Sequence, residues 1–132
     1  MVLMIEIIPV ESPTIEDLKI LRTLTEMGLA EIKAAAAHQT AIRQIRIFEG
    51  DWQSERQVLA KVYHQNRSEQ PVPWRVRERD EFGEEEFLSP DGLKSRLEYW
   101  RSLELETQRN VDLESGLIAT PEEFEPHDED WF

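Results

Sequence analysis

The apolar residues of the first eighty positions change period along the chain, and the order of those changes restricts the fold more than any other property. Val2-Leu3-Met4-Ile5-Glu6-Ile7-Ile8-Pro9-Val10 is short, β-branched and closed by proline, which predicts a strand; Glu6 implies that one of its faces is at least partly wet. Thr14, three residues before Asp17, opens a helix in a capping-box pattern, and Ile15, Leu18, Leu21 and Leu24 follow at helical spacing. Gly28 is expected to close that helix in the left-handed conformation, and alanines carry a second helix from about Leu29 to His38. Ala41 to Phe48 partly alternates apolar and basic residues, the period of a strand with one face on a core. Gly50-Asp51 breaks it, with Asp51 placed to cap a third helix. Trp52, Val58, Leu59, Val62 and Tyr63 form the apolar stripe of that helix, which ends near Asn66-Arg67. After two prolines, Trp74 to Arg79 alternates again. The order is strand, helix, helix, strand, helix, strand: an α+β domain over residues 1 to 80.

Its expected core is Ile5, Ile7, Leu18, Leu21, Leu24, Leu29, Ile32, Ile45, Ile47, Leu59, Val62 and Val76. Arg43, Arg46, Arg75, Arg77 and Arg79 fall on two predicted strands and are expected to pool into a basic sheet face that receives the acidic C-terminal part of the chain.

That acidic part is visible once charge is resolved by position. The 132 residues carry a net charge of -13. Residues 1 to 80 hold eleven basic and twelve acidic side chains, whereas 81 to 132 hold four and sixteen. Such a balance opposes binding to a phosphate backbone, which demands cations, and favours a basic protein partner. No cysteine is present, which removes disulfide frameworks, thiol nucleophiles and thiolate metal sites. No stretch approaches the roughly 20 apolar residues of a membrane helix, and the N-terminal ten residues do not form a signal peptide, so a soluble cytoplasmic protein is expected.

Within the extension, residues 80 to 86 are expected to be a charged connector. Ser89-Pro90-Asp91 then supplies an N-cap with proline at the first helical position, and Leu93, Leu97, Trp100 and Leu103 predict one amphipathic helix over about 91 to 109. Its apolar stripe either packs on the first domain or offers a partner a helix-in-groove contact. The tail, 111 to 132, ends in twelve residues with six acids, three aromatics and two prolines, too polar to build a core. Trp100, Phe124, Asp128, Glu129, Asp130, Trp131 and Phe132 form the candidate partner-binding set, aromatic anchors among steering acids. A solubilising tail, or one folded back onto the protein's own arginines, is the competing reading.

Little in the sequence points to catalysis. His38, His64 and His127 have no convergent nucleophile or acid pattern around them, and there is no glycine-rich phosphate loop, HExxH, EF-hand loop or nucleophile elbow. No enzyme activity, cofactor or metal is expected.

Asp17 to Lys33, with the Lys19 and Arg22 pair, Thr25, the Gly28-Leu29 turn, Glu31 and Lys33, resembles the helix-turn-helix of the C-terminal domain of the bacterial ribosomal stalk protein, which recruits translation factors. The resemblance implies a βααβαβ sandwich, three helices on one face of a three-stranded antiparallel sheet, and a docking patch at Lys19, Arg22 and Lys33. Ala30 stands where that family carries a lysine, and the family's N-terminal dimerisation segment and hinge have no counterpart. A compact protein-docking platform is expected rather than a working stalk. The Asp128-Glu129-Asp130 run with Phe132 is similar to the acidic tips of bacterial single-stranded DNA-binding proteins, which dock on basic pockets of partner enzymes. The functional expectation is a non-enzymatic module for a basic protein partner: a nuclease toxin neutralised by an immunity protein or inhibitor, a nucleic-acid enzyme, or a translation factor. A translation-linked docking domain and a structural subunit of a larger assembly are the alternatives.

Overall fold

The computed structural model of the chain describes residues 3 to 66 and 72 to 128. Its contacts divide into two units, 1 to 93 and 94 to 132. The first is α+β, with an antiparallel sheet, and runs β1 (Met4–Pro9), α1 (Ile15–Thr25), α2 (Leu29–His38), β2 (Arg43–Arg46), α3 (Trp52–Asn66), β3 (Trp74–Arg79) and β4 (Glu85–Leu88). Strand β1 is central; the sheet order is β2-β1-β3-β4. The long helix α4 (Pro90–Glu114) begins in the first unit and continues into the second, where a short 3-10 turn (Pro121–Glu123) follows.

The predicted order from β1 to β3 is present, but the sheet has four strands rather than three. The expected connector contains a turn and then β4, which pairs antiparallel with β3 from Val76↔Leu88 to Arg79↔Glu85. A run of three glutamates reads as loop because carboxylates are poor strand formers. Here Glu85 lies within 2.6 Å of Arg79 and 3.3 Å of Arg77, so cross-strand charge pairing offsets the weak propensity. The expectation that the arginines receive the acidic part is thus met at one residue, and by an edge strand.

Helix α1 begins as its sequence predicts: the Thr14 hydroxyl accepts from the Asp17 N–H, and the Asp17 carboxylate accepts from the Thr14 N–H. Its end differs. Glu26, not Gly28, takes the left-handed conformation at φ 60°, and Gly28 is the extended N-cap of α2. At this end the Thr25 hydroxyl donates to the Leu21 carbonyl and accepts from the Met27 N–H, which satisfies an amide that has left the helix. Leu29, the first residue of α2, consequently lies at the helix start and is 41% exposed rather than in the core. The other eleven expected core residues are buried.

Cross-strand partners in a sheet point the same way, so the register sorts its two faces. Ile5, Ile7, Ile45 and Val76 share one. Arg43 shares it too, and reaches Glu55 of α3 through two hydrogen bonds of 3.3 and 3.0 Å, so it does not join the other arginines. The opposite face carries Glu6, Gln44, Arg77 and Phe87 in one cross-strand row, with Ile8 and Arg75 beside it. Glu6 is not wet: it is 2% exposed. Its carboxylate accepts from Arg77 Nε at 3.0 Å and Gln44 Nε2 at 2.9 Å, and Arg79 lies at 3.3 Å. A buried carboxylate is tolerable only with such partners, and both arginines stand on β3, two residues apart, directly beside it.

Candidate functional site

The β3–β4 hairpin is an exposed acidic feature of the first unit. Its turn, residues 80 to 84, is organised by Asp80. One carboxylate oxygen accepts from the Phe82 N–H at 2.9 Å and the Glu84 N–H at 3.0 Å, the Asp80 N–H donates to the Glu84 carbonyl at 3.1 Å, and the Gly83 N–H donates to the Asp80 carbonyl at 3.2 Å. Gly83 sits at φ +82°, where a Cβ would be strained, so the turn needs glycine there. The consequence is that Phe82 is held on a defined backbone with 81% of its surface in solvent. Glu81 and Glu84 flank it in sequence, and Glu78, Asp80, Glu84, Glu85 and Glu86 line an acidic notch of about 300 Å³ on the same hairpin. An exposed phenylalanine set among carboxylates is chemically suited to a cationic protein surface that has an apolar socket.

A second surface of opposite character lies between α1 and α3. A groove of about 560 Å³ is lined by Lys19, Ile20, Thr23 and Leu24 from α1 and by Lys61 and Gln65 from α3. Residues four apart on each helix face it together, as helical geometry requires. Ile20, 40% exposed, supplies apolar surface, and the two lysines supply charge. Of the expected docking patch, Lys19 lines this groove, while Arg22 and Lys33 are exposed on α1 and α2 and do not line it. The sequence reading missed Lys61, whose only signal is its spacing of four from Gln65 on the polar side of the α3 stripe.

In the second unit the described part of the tail is tied to α4. Arg101 donates to Glu104 at 3.0 Å, to the Asp128 carboxylate at 2.7 Å and to the Asp128 carbonyl at 3.0 Å. Gln108 Oε1 accepts from the His127 N–H at 3.0 Å, and the His127 ring lies 2.8 Å from the buried Asp112 carboxylate. The Ile118 N–H donates to the Asp112 carbonyl at 3.3 Å. Arg101, Gln108 and Asp112 recur at helical intervals and form one binding edge for the returning chain. The helix extends to Glu114 rather than ending near 109, which is what brings Asp112 onto that edge.

Comparison of the chain with protein-family models, curated proteins and solved structures returned no match. The functional reading therefore rests on residues and geometry. Trp100 is 4% exposed and, being buried, presents no anchor to an incoming surface. Phe124 is half-buried, with its ring 6.1 Å from that of His127. Asp128 is already engaged by Arg101, so its charge is committed within the chain. Glu129, Asp130, Trp131 and Phe132 lie outside the described residues. Phe82 belonged to no expected site; its signal is an aromatic next to glycine inside an acidic run. Among the described residues, no group of three or more His, Asp or Glu side chains is placed to hold a metal ion, and no helix is long and apolar enough to cross a membrane.

Proposed function

We propose that the protein is a non-enzymatic interaction module that docks on a basic protein partner, with the β3–β4 hairpin as its contact element. The observation that carries this reading is Phe82, 81% exposed on a turn fixed by Asp80, with Glu81 and Glu84 close to it in sequence. Acidic side chains steer the encounter, and the ring supplies the apolar burial that a charge cluster alone lacks. An immunity protein or inhibitor that covers the nucleic-acid surface of a basic toxin is the sharpest form of the proposal, because carboxylates then occupy positions meant for phosphates. The order β1-α1-α2-β2-α3-β3, with α1 and α2 separated by Glu26, Met27 and Gly28, supports a stalk-like docking platform beneath the hairpin.

The test is capture of basic proteins from native lysate on the immobilised full chain, compared with Phe82→Ser. That substitution leaves the net charge at -13, so simple ion exchange is blind to it. Expected is a basic protein retained at about 0.1 M salt, released as salt rises toward about 1 M, and recovered at least about tenfold less on the variant. Equal recovery on both, or retention indifferent to salt, removes the proposal.

A further inference from the structure

We infer that the α1–α3 groove of one copy receives the β3–β4 hairpin of a second copy. The inference rests on the reading of the hairpin as a docking element, and adds the surface on which it docks when no other partner is present. Two halves of one contact stand on the same unit. One is a concave groove with Ile20 and Leu24 along it and the ammonium groups of Lys19 and Lys61 beside them. The other is a protruding phenylalanine between Glu81 and Glu84, with Glu86 on the strand that follows. Apolar meets apolar and cation meets carboxylate when the hairpin enters the groove. Phe82 remains 81% exposed within its own chain, so it does not fill its own groove and is open to the groove of a second copy. The groove volume of about 560 Å³ lies within the range of sites that seat a large side chain together with its neighbours.

Such a contact is heterologous, because each copy offers a different surface, and this makes the test decisive. Sedimentation equilibrium of the full chain at about 0.15 M salt is expected to show a weight-average mass that rises between about 10 µM and about 1 mM protein. Phe82→Ser removes the hairpin half; Lys19→Glu with Lys61→Glu removes the groove half. Each variant alone is expected to associate at least about tenfold more weakly than the parent. Mixed together they retain one intact half each, and a one-to-one complex should reappear. Neither a misfolded variant nor a general surface effect produces that recovery. Lys19→Gln with Lys61→Gln serves as the groove variant if the double reversal fails to fold, judged by circular dichroism.

A parent chain that stays monomeric to about 1 mM overturns the inference. So does a mixture that stays monomeric, or association that survives either variant. Binding of a different acidic protein in the groove of a monomeric parent also counts against it. If association fails while Phe82-dependent capture of a basic protein persists, only this inference falls; if association obeys the pattern while capture ignores Phe82, only the proposed docking on a basic partner falls.

Discussion

Replacing Glu6 by alanine leaves Arg77 and Arg79 beside an empty position on β1, with Glu85 on the edge strand as the carboxylate still within 4 Å of both. Arg77 is itself mostly buried, so the loss includes an uncompensated charge and not merely a missing contact. Glu6→Ala is expected to lower unfolding stability by about 3 kcal/mol in urea titration, and Glu6→Gln by less, because its amide oxygen can still accept from Arg77. At Thr14 the expected loss is smaller: Thr14→Ala removes a cap worth about 1 kcal/mol, whereas Thr14→Ser leaves the midpoint nearly unchanged. These two residues differ in how plainly the sequence announces them. A capping box is local, so Thr14 and Asp17 declare themselves within four positions. Glu6 is satisfied by residues 38 to 73 positions away, and an isolated acid in a strand looks wet until its neighbours are known. Leu29 failed for a related reason, since it is apolar by type but stands at the first turn of its helix, where its side chain is left exposed.

Two elements were legible nearly to the residue, α2 through the helix propensity of its alanines and β3 through its alternation. Strand β4 was not, because its glutamates are explained only by the arginines opposite them, and pairing partners are invisible to a reading that moves along one strand. The hairpin turn depends on Asp80 in the same way that α1 depends on Thr14. Asp80→Ala is expected to accelerate amide exchange at Phe82 and Glu84 at least about tenfold while leaving exchange in β1 unchanged, measured by hydrogen–deuterium exchange. In the second unit, Arg101→Ala removes the hydrogen bonds to Glu104 and to both the carboxylate and the carbonyl of Asp128. Faster exchange across residues 118 to 128, with α4 itself still protected near its middle, is the expected outcome. The tail was expected either to seek a partner or to fold back. Its described part returns to α4 through Arg101, Gln108 and Asp112, a pattern at helical spacing that the acidic composition of the segment conceals.

Across the whole molecule, the excess of negative charge opposes any association between copies, while the hairpin and groove favour it. At low ionic strength the repulsion between two chains of -13 extends over many ångströms; at high ionic strength the lysine–glutamate contacts are screened as well. Self-association is therefore expected to pass through a maximum at intermediate salt, near about 0.1 to 0.3 M, whereas capture of a basic partner should fall steadily as salt rises. Light scattering over a salt series separates the two curves, and self-association that only rises with salt would leave no part in it for the lysine–glutamate contacts.

The central position of β1 has a consequence for how the chain is made. Ile5 pairs with Ile45 on one side and with Glu78 on the other, so β1 is flanked on both edges only once β3 has been made. Contacts of such sequence separation slow folding, and a nascent chain that ends before β3 exposes β1 with one edge unfilled. Translation must proceed through β3 before that edge is closed, and truncated products ending in α3 should be the ones that aggregate or call on chaperones.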